Sequence, residues 1–520
     1  MIEVPRRQIL AGAGLALLPL YAARAGTPPD AFDIRRYGAK GTGKVLDTKA
    51  IQHAIDAAAA KGGGTVYLPK GRYLSFSLRL KSHVTLLFES GAVLIAADPA
   101  KHHGHYDLPE PNPWDAYQDF GHSHFHNSLI WGENLEDVAI LGPGLIDGEG
   151  LTNVSPNAPW SVGLGRDLPD TPELRAAIAH HEADVKKMMG KGNKAIALKN
   201  SRNVTLRDVS IFRGGHFGIL VTGVDNLTLD NLKIDTNRDG IDLDVVRNAH
   251  LSNLTVNSPT DDAIVLKSSL ALGVARPTEN VTITGCMVSG YDVGSLLDGS
   301  FKKTQLQNLE KHLTSGRIKL GTESNGGYRN ISVSNCVFDC CNGLAIESVD
   351  GGVLEDVVVN DIVMRDTTAA PLFLRLGDRR RAPKGTPMAV LRRVSVSDID
   401  AYSLDPRYCA VISGVPGGLI EDIDLHGIRL LYQGGGTTAE AALKPPEEVG
   451  TYPDPDMFGP LPAFGMYLRH VKGAVLRDIE METLAPDARP PVVIDDVSDL
   501  HADGVLASSA PGTPLTSVQM

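Results

Sequence analysis

Apolar and polar residues alternate along much of the chain, in blocks that return at a nearly fixed interval. Three consecutive blocks begin at Asn203, Asn226 and Asn248, which are 23 and 22 residues apart. In each block the Asn is followed by an alternating run, a short polar turn and a second alternating run. Strict alternation predicts strands with one buried face, and a strand-built repeat of this length predicts stacked coils. The pattern therefore predicts an all-β fold, a right-handed, single-stranded parallel β-helix.

Further copies of the block extend the predicted solenoid towards the C-terminus. They begin at Asn280, Asn330, Gly352, Leu391 and Leu419. The longer gaps between some copies indicate loops inserted between coils. Because a solenoid adds coils to one continuous core, we expect residues 26–520 to form a single domain.

Two segments replace the alternation with helical periodicity. The first begins at Asp47, a good N-cap residue, and carries an apolar stripe over 50–58 before the glycines at 62–64. The open end of a solenoid exposes its core, so this helix is predicted to cover the N-terminal coil. The second is predicted between a cap at Thr171 and a stop at Gly190, inserted between coils.

The N-terminus has the composition of an export signal. Arg6 and Arg7 precede an apolar run over 11–20, and residues 23–25 offer a small-residue cleavage site. Residues 1–25 are therefore predicted to be a signal peptide of the twin-arginine type, with an ordinary secretory signal as the alternative. The apolar run is too short for a stable anchor, so we expect a periplasmic or secreted protein without membrane attachment.

The net charge of −12 narrows the range of partners. An acidic surface repels nucleic acid at long range, so no nucleic-acid partner is expected, and an acidic polymer would need a local cluster of Arg and Lys. The five cysteines are interpreted as buried thiols, with one disulfide among Cys336, Cys340 and Cys341 as the alternative. The pattern specifies no oligomeric state.

Three aspartates are predicted to meet on neighbouring coils. Asp239 stands before a strand at a Gly-assisted turn, and Asp261 and Asp262 begin 22 residues later. Adjacent coils lie about 4.8 Å apart, so the three carboxyl groups should be close, and like charges at such distances raise at least one pKa. One protonated carboxyl beside ionised ones suits acid–base cleavage of a glycosidic bond. The alternative, acids that hydrogen-bond turn backbones, is favoured only for Asp242 and Asp244.

A basic pair follows on a later strand. Arg317 and Lys319 share one face, because alternate residues of a strand point the same way. A guanidinium binds a carboxylate through two parallel hydrogen bonds, so the pair suits recognition of an acidic sugar. Charges that only solvate an outer face are the alternative. Lys267 is a second-line candidate on the side of Asp261.

Histidines are concentrated between positions 102 and 126, where six of the 16 occur. On a strand, those at 122, 124 and 126 would share one face and could hold a metal ion. Hydrogen bonding within the loop or contact with a sugar is the favoured interpretation. No metal or cofactor is therefore predicted. Long irregular segments cover 100–128 and 433–465. Such loops are often functional; trimming around the coils is the alternative for the later one. Trp131 and Trp160 either stack on sugar rings or pack.

Together the motifs resemble glycoside hydrolase family 28, the polygalacturonase family, from about residue 32 to residue 497. The matching runs are Asn237-Arg238-Asp239, Asp261-Asp262 and Arg317-Ile318-Lys319, supported by residues 32–39 and 144–150. The resemblance implies an inverting, single-displacement hydrolysis without a metal. It makes Asp261 the general acid, with Asp239 and Asp262 activating water. The substrate-binding candidates are Asn237, His216, Lys267, Asp292, Arg317 and Lys319.

One family motif is missing. Polygalacturonases typically carry Gly-His-Gly on the next coil, where this chain has Gly290-Tyr291-Asp292. We expect Tyr291 or Asp292 to fill the space of that histidine, or His216 to reach in from the preceding coil. The departure and the long loops favour exo-acting or rhamnogalacturonan-type hydrolysis of acidic plant cell-wall polysaccharide over plain endo-cleavage. A polysaccharide lyase and a non-catalytic carbohydrate-binding β-helix are the alternatives, and the three acids argue against both.

Overall fold

The computed structural model describes residues 30–156, 170–304 and 314–519. In these ranges the strands stack in register, coil upon coil, into three parallel sheets, which confirms the predicted parallel β-helix. The predicted signal peptide and Trp160 lie outside the described residues. Among the described helices, none combines the length and apolarity needed to cross a membrane.

The first sheet, called the site sheet below, carries the residues of interest. Its strands are Leu78–Arg79, Ile130–Glu133, Lys194–Lys199, Phe217–Thr222, Asp239–Asp244, Ile264–Ser268, Ile318–Ser324, Leu344–Ser348, Leu372–Leu376 and Ala410–Ser413, continued by the first parts of Met466–Thr483 and Val492–Ser508.

The second and third sheets merge where long strands bend from one into the other. The second contains Phe32–Asp33, Gly64–Leu68, Val84–Phe88, Glu136–Leu141, Arg202–Arg207, Asp225–Asp230, Arg247–Ser252 and Thr278–Thr284. The third contains Thr42–Leu46, Gly71–Ser75, Ala92–Ala96, Leu145–Asp147, Ser210–Phe212, Lys233–Asp235, Thr255–Asn257 and Met287–Ser289. The strands that run through both are Tyr328–Asp339, Val353–Arg365, Val390–Leu404 and Ile420–Tyr432, joined by the later parts of Met466–Thr483 and Val492–Ser508; Thr516–Ser517 closes the end in antiparallel pairing.

Inward-facing side chains stack in columns along the helix axis. One column of the second sheet, read from coil to coil, is Val204, Leu227, Ala249, Val281, Ile331, Val357, Val394, Ile423 and Ala474. All nine side chains are buried. Because no coil can bury this face alone, the columns tie each coil to its neighbours.

The asparagines that open the sequence blocks form a ladder. Asn203, Asn226, Asn248, Asn280 and Asn330 all have positive φ, between 55° and 57°. Asn tolerates this left-handed conformation better than other non-glycine residues. From Asn226 onwards, each side-chain amide donates to the asparagine of the preceding coil, at 2.9–3.3 Å. The repeated asparagine therefore marks a bend of the coil.

Helix α1 (Thr48–Ala60) confirms the predicted N-terminal cover, and its stripe packs into the core through Ala50, Ile51, Ala54, Ile55 and Ala58. The role predicted for Asp47 is wrong in detail. It occupies the N-cap position without a capping bond. Its carboxylate instead accepts from the backbone N–H groups of Lys40 (2.6 Å) and Gly41 (3.1 Å), which the preceding loop leaves unpaired.

Three further α-helices follow: α2 (Phe120–Ser123), α3 (Pro172–Lys187) and α4 (Thr438–Ala441). Short 3-10 turns cover Ile34–Tyr37, Asp115–Tyr117 and Pro455–Phe458. In α3, Thr171 caps as predicted and Pro172 is the first residue, but the helix ends at Lys187, before Gly190, and buries none of its own residues fully. All five cysteines are buried free thiols, as the favoured interpretation had it.

Candidate active site

Two adjacent coils bring the predicted acids together at one edge of the site sheet. Asp239 begins the strand Asp239–Asp244, and Asp261 and Asp262 precede Ile264–Ser268 on the next coil. Gly240 is needed between them, because a Cβ there would lie 2.5 Å from the Ala263 carbonyl oxygen. The backbone N–H of Gly240 donates to the Asp262 carbonyl oxygen at 3.0 Å, which locks the two turns together.

The three carboxyl groups are neighbours, as the repeat length predicted. One oxygen from each of Asp239, Asp261 and Asp262 lies within 4.8 Å of the other two. Among the described residues this is the one group of metal-ligating side chains drawn so close. The metal alternative for the histidines at 122, 124 and 126 is therefore not supported within that range.

The three acids have different electrostatic environments. Burial opposes ionisation of Asp262, but Lys319 and Arg317 outweigh it and hold its pKa well below the usual range. Burial, then the charges of Asp242 and Asp261, raises the pKa of Asp239 well above the usual range. Asp261 is a quarter exposed and pairs with Arg238, Nη2 to Oδ2, at 2.6 Å. The site therefore holds the protonated Asp239 beside the ionised Asp262.

The predicted basic pair faces the acids. The Arg317 Nε donates to Asp262 Oδ1 at 2.7 Å, and the Lys319 Nζ lies 3.3 Å from Asp262 Oδ2. Both side chains are buried, which excludes the alternative of charges that solvate an outer face. The pair presents fixed positive charge beside the three carboxylates, a suitable place for a sugar carboxylate.

The later long loop reaches this pair. Lys319 Nζ donates to the hydroxyl of Tyr452 at 3.2 Å and lies 5.3 Å from the centre of its ring. Arg317 Nη2 lies 3.5 Å from Asp454 Oδ2. The segment 433–465 therefore contributes side chains to the site, and trimming around the coils is not its only role.

A buried network of charged and polar side chains lies beside the three acids. Lys267 Nζ donates to Glu323 Oε2 at 3.0 Å and lies 3.8 Å from Asp242 Oδ2. Burial opposes the charge on Lys267, but Glu323 and Asp242 outweigh it and raise its pKa well above the usual range. His122 Nε2, from the loop at 100–128, lies 2.9 Å from Asp242 Oδ2. Lys267 thus contacts carboxylates of the protein and is close enough to Asp239 and Asp262 for its charge to lower the pKa of both.

Two of these residues correct the sequence interpretation. Asp242 was expected to bind turn backbones, yet its partners are the side chains of His122 and Lys267, because the loop at 100–128 covers the outer face of its strand. Asp244 does bind as expected, accepting from the backbone N–H of Ser269 at 2.7 Å. Glu323 was missed. It lies on the same face of the strand as Arg317 and Lys319, so alternation could have indicated it.

The residues proposed to replace the missing histidine lie elsewhere. The Tyr291 hydroxyl donates to Asp339, and Asp292 accepts from Thr304 at 2.6 Å. Within the described residues neither hydrogen-bonds to the three acids. The expectation failed because Tyr291 binds the end of the strand Tyr328–Asp339 and Asp292 binds Thr304 in the segment that follows Asp292.

His216 does lie beside the site, buried, with its Nδ1 2.9 Å from the Asn153 carbonyl oxygen. Burial, then the charge of Arg238, lowers its pKa well below the usual range, so it is neutral. Asn237 has a half-buried side chain, and its carbonyl oxygen accepts from the backbone N–H (3.1 Å) and hydroxyl (2.6 Å) of Thr260. That contact ties the turn of Asp239 to the turn of Asp261.

On both sides of the acids, towards the N-terminus and towards the C-terminus, other side chains cover the outer face of the site sheet. Outward residues here register from coil to coil as Ala197, Leu220, Asp242, Val265, Lys319, Ala345 and Phe373, all buried. Phe125 and Phe217 pack on Leu220 and Ala197 towards the N-terminus. Phe458 and Leu461 pack on Ala345 and Phe373 towards the C-terminus. The acids and the basic pair therefore lie on a short stretch between two loops.

Trp131 packs within this structure. Its ring stacks on His126 with centroids 3.9 Å apart, and its indole N–H donates to Asp107 at 2.7 Å. The His124 Nδ1 lies 2.9 Å from the Phe120 carbonyl oxygen. His124 and His126 thus make local hydrogen bonds and ring contacts, as favoured from the sequence, whereas His122 reaches Asp242.

Comparisons with known proteins agree with this architecture. A family model described as rhamnogalacturonase A/epimerase, pectate lyase-like, matches residues 31–100, and one for the right-handed β-helix region matches 183–310 and 217–366. A probable polygalacturonase of Vitis vinifera is 24% identical, over 75% of this chain and 73% of that protein. The exo-poly-α-D-galacturonosidase of Dickeya chrysanthemi is 27% identical, over 48% of this chain and 44% of that enzyme.

Two solved structures share the fold. The family 28 exopolygalacturonase of Yersinia enterocolitica has a TM-score of 0.55 at 19% identity, covering 92% of this chain and 78% of that one. The exopolygalacturonase of Thermotoga maritima has a TM-score of 0.56 at 20% identity, covering 78% and 88%. Sequence relatives, motifs and fold agree: the chain is similar to polygalacturonases and has the parallel β-helix fold of the family 28 exopolygalacturonases.

Proposed function

We propose that this protein is a glycoside hydrolase that removes short units from the end of galacturonate-containing pectic chains. The observation that carries the proposal is the confined site: three acids and a basic pair lie on the site sheet where loops cover it on both sides. A polymer that passes through such a site would displace Phe125 or Phe458 from buried positions, whereas a chain end would enter without doing so.

The basic pair supports an acidic substrate. The protein as a whole carries a net charge of −12, so attraction of a polyuronate has to be local. Arg317 and Lys319 provide that charge at the acids. We assign them, with Asn237, to binding of the sugar beside the scissile bond.

The three acids take the roles that the family resemblance implies. Asp261 protonates the leaving oxygen, and Asp239 and Asp262 flank the attacking water. Their nearest oxygens lie within 4.8 Å, which is shorter than the roughly 6.5–9.5 Å separating the carboxyl groups in most inverting enzymes. The anomer formed first is therefore a direct test of the inverting course, and proton NMR during hydrolysis reads it.

A rhamnogalacturonan-type substrate is the second candidate. The observation that favours it is the rhamnogalacturonase A/epimerase description of the family model over residues 31–100. The two substrates differ in the sugar beside galacturonate. A panel of oligogalacturonates and rhamnogalacturonan fragments, with product sugars identified, separates them.

The same panel tests hydrolysis itself. Hydrolysis predicts new reducing ends without ultraviolet absorbance from an unsaturated uronate, and the Asp261→Asn variant should release almost none. Absorbing products would mean a lyase, and binding without turnover by the wild-type protein would mean a carbohydrate-binding protein. We further propose, from the predicted twin-arginine signal at residues 1–25, that the enzyme acts in the periplasm or outside the cell.

A further inference from the structure

Arg238 differs from the other cations of the site. Arg317 and Lys319 hold Asp262, Lys267 holds Glu323, and their side chains are 4%, 1% and 7% exposed. The side chain of Arg238 is 36% exposed and pairs with Asp261, which is itself 25% exposed. Of these four cations, Arg238 is therefore the one that an entering sugar meets most readily.

The guanidinium of Arg238 is also only partly used. Its Nη2 lies 2.6 Å from Asp261 Oδ2, while its Nε is buried and has no hydrogen-bond partner among the described residues. A guanidinium binds a carboxylate best through two parallel N–H groups. Arg238 thus has unused donor capacity for a second carboxylate.

The pairing conflicts with the role proposed for Asp261. A carboxylate held in an ion pair has no proton to give to a glycosidic oxygen. The neighbouring Asp239 is 4% exposed, and its Oδ1 has no hydrogen-bond partner within the described residues. Burial and the charge of Asp242 keep its pKa high, so in the free protein Asp239 is the carboxyl that carries the proton.

We propose that Arg238 is a specificity-determining residue: a carboxylate of the bound sugar draws it away from Asp261, and one proton then moves from Asp239 to Asp261. This inference rests on the proposed hydrolysis. The transfer breaks one O–H bond on Asp239 and forms one on Asp261, whose oxygens are within 4.8 Å of each other. It leaves a protonated acid and an ionised base at the moment a uronate is bound.

The cycle closes without any other reagent. Asp261 gives its proton to the glycosidic oxygen as the C1–O bond breaks, and water forms the new bond to C1. The proton lost by that water goes to Asp239. After the products leave, Asp239 is again protonated and Asp261 again pairs with Arg238, which is the pairing seen in the free protein.

The consequence is a requirement for charge on the substrate at one particular sugar. A methyl ester at the sugar read by Arg238 cannot compete with Asp261 for the guanidinium. An ester at the sugar read by Arg317 and Lys319 weakens binding by a separate route. The two carboxylates should therefore be distinguishable with singly esterified substrates.

The experiment compares digalacturonate with its two monomethyl esters, measuring kcat and KM for the wild-type protein, Arg238→Gln and Arg238→Lys. Loss of a charge-assisted hydrogen bond predicts that Arg238→Gln lowers kcat/KM for digalacturonate by about 10- to 100-fold. For the monoester at the sugar read by Arg238 it should not lower kcat/KM and should raise it, because that substrate cannot displace Arg238 and the variant releases Asp261 from the ion pair. Arg238→Lys should restore part of the preference for the free acid.

Arg247→Gln is the matched control, because Arg247 pairs with Asp225 on the second sheet, outside the site. Arg247→Gln should leave unchanged the ratio of kcat/KM for digalacturonate to that for each monomethyl ester. Equal losses on all three substrates in Arg238→Gln, or no loss on any, would overturn the inference while leaving hydrolysis intact. A wild-type protein that cleaves none of these substrates or longer galacturonides would instead contradict the proposed function.

Discussion

The outer faces of two sheets of the same β-helix differ sharply. On the second sheet the outward column Thr205, Thr228, His250, Thr282, Ser332, Val358, Ser395 and Asp424 is exposed or half-buried throughout. On the site sheet the outward column from Ala197 to Phe373 is buried throughout. The inward columns of both sheets are apolar, so the inner face does not distinguish the site sheet from the second sheet.

The difference in burial of the two outward columns shows which face of this β-helix carries the candidate active site. Loops cover the site sheet, and there, unlike on the second sheet, charged groups such as Asp242 and Lys319 stand in a buried outer column. Charges in such a place are stable only when partners surround them. The same cover that removes water allows neighbouring charges to set the protonation of Asp239 and Asp262.

The largest expected contrast between the two faces is in activity. Asp261→Asn should lower kcat by about 10²- to 10⁴-fold, the usual contribution of a general acid. The fold should persist, because Asn has nearly the same shape and Asp261 is at a partly exposed turn. Asp424→Asn, on the outer column of the second sheet, is the control and should keep wild-type activity. Near-normal turnover by Asp261→Asn would remove it from the mechanism.

A charge placed on each outer column tests the cover directly. Phe373→Asp should lower the free energy of unfolding by about 3–5 kcal/mol, because it replaces a buried ring that packs with Phe458 by an unpaired charge. Val358→Asp, at a position 49% exposed, should cost less than about 1 kcal/mol. Denaturant unfolding measures both. Similar losses would mean that the loop does not seal the site sheet.

The pH dependence of stability should also differ. Burial, which outweighs Lys319 and Arg317, raises the pKa of Glu347 to about 7, from an ordinary 4.5. Because the folded value exceeds the unfolded one, this group's stabilisation is complete below about 4.5 and is lost as the pH rises through about 7. Relative to Glu347→Gln, the wild-type protein should therefore lose stability between pH 5.5 and pH 8.

Glu355→Gln on the second sheet is the control for that measurement. Hydrogen bonds from Arg392 help to lower the pKa of Glu355, so it is ionised across the same range. Its difference from the wild-type protein should be nearly constant between pH 5.5 and pH 8. A constant difference for Glu347→Gln as well would contradict the raised pKa.

The smallest effect concerns the asparagine ladder at the bend of each coil. Asn248→Ala should lower the free energy of unfolding by about 1–2 kcal/mol, since alanine is strained at its φ of 56°. Asn248→Gly removes the same ladder hydrogen bonds without that strain and should cost less. Equal losses, measured by denaturant unfolding, would assign the contribution to the hydrogen bonds instead.

Periodic features could be predicted from the sequence, and loop-borne ones could not. Alternation and the 22-residue interval placed Asp239, Asp261 and Asp262 together because strand geometry repeats from coil to coil. His122 and Tyr452 were not assigned to the site because they stand on irregular segments whose path depends on tertiary packing. Tyr291 and Asp292 were wrong for a related reason: they follow the strand Met287–Ser289 on an irregular segment, where they bind Asp339 and Thr304.

We propose that end-cleaving hydrolysis occurs on a stretch of the site sheet that loops close on both sides. The most direct test is the size of the earliest products released by the wild-type protein from a long oligogalacturonate labelled at its reducing end. End-cleaving hydrolysis predicts monomer or dimer from the first minutes, with the remaining chain shortening gradually. Early appearance of mid-length fragments would contradict it, because they require a groove open at both ends.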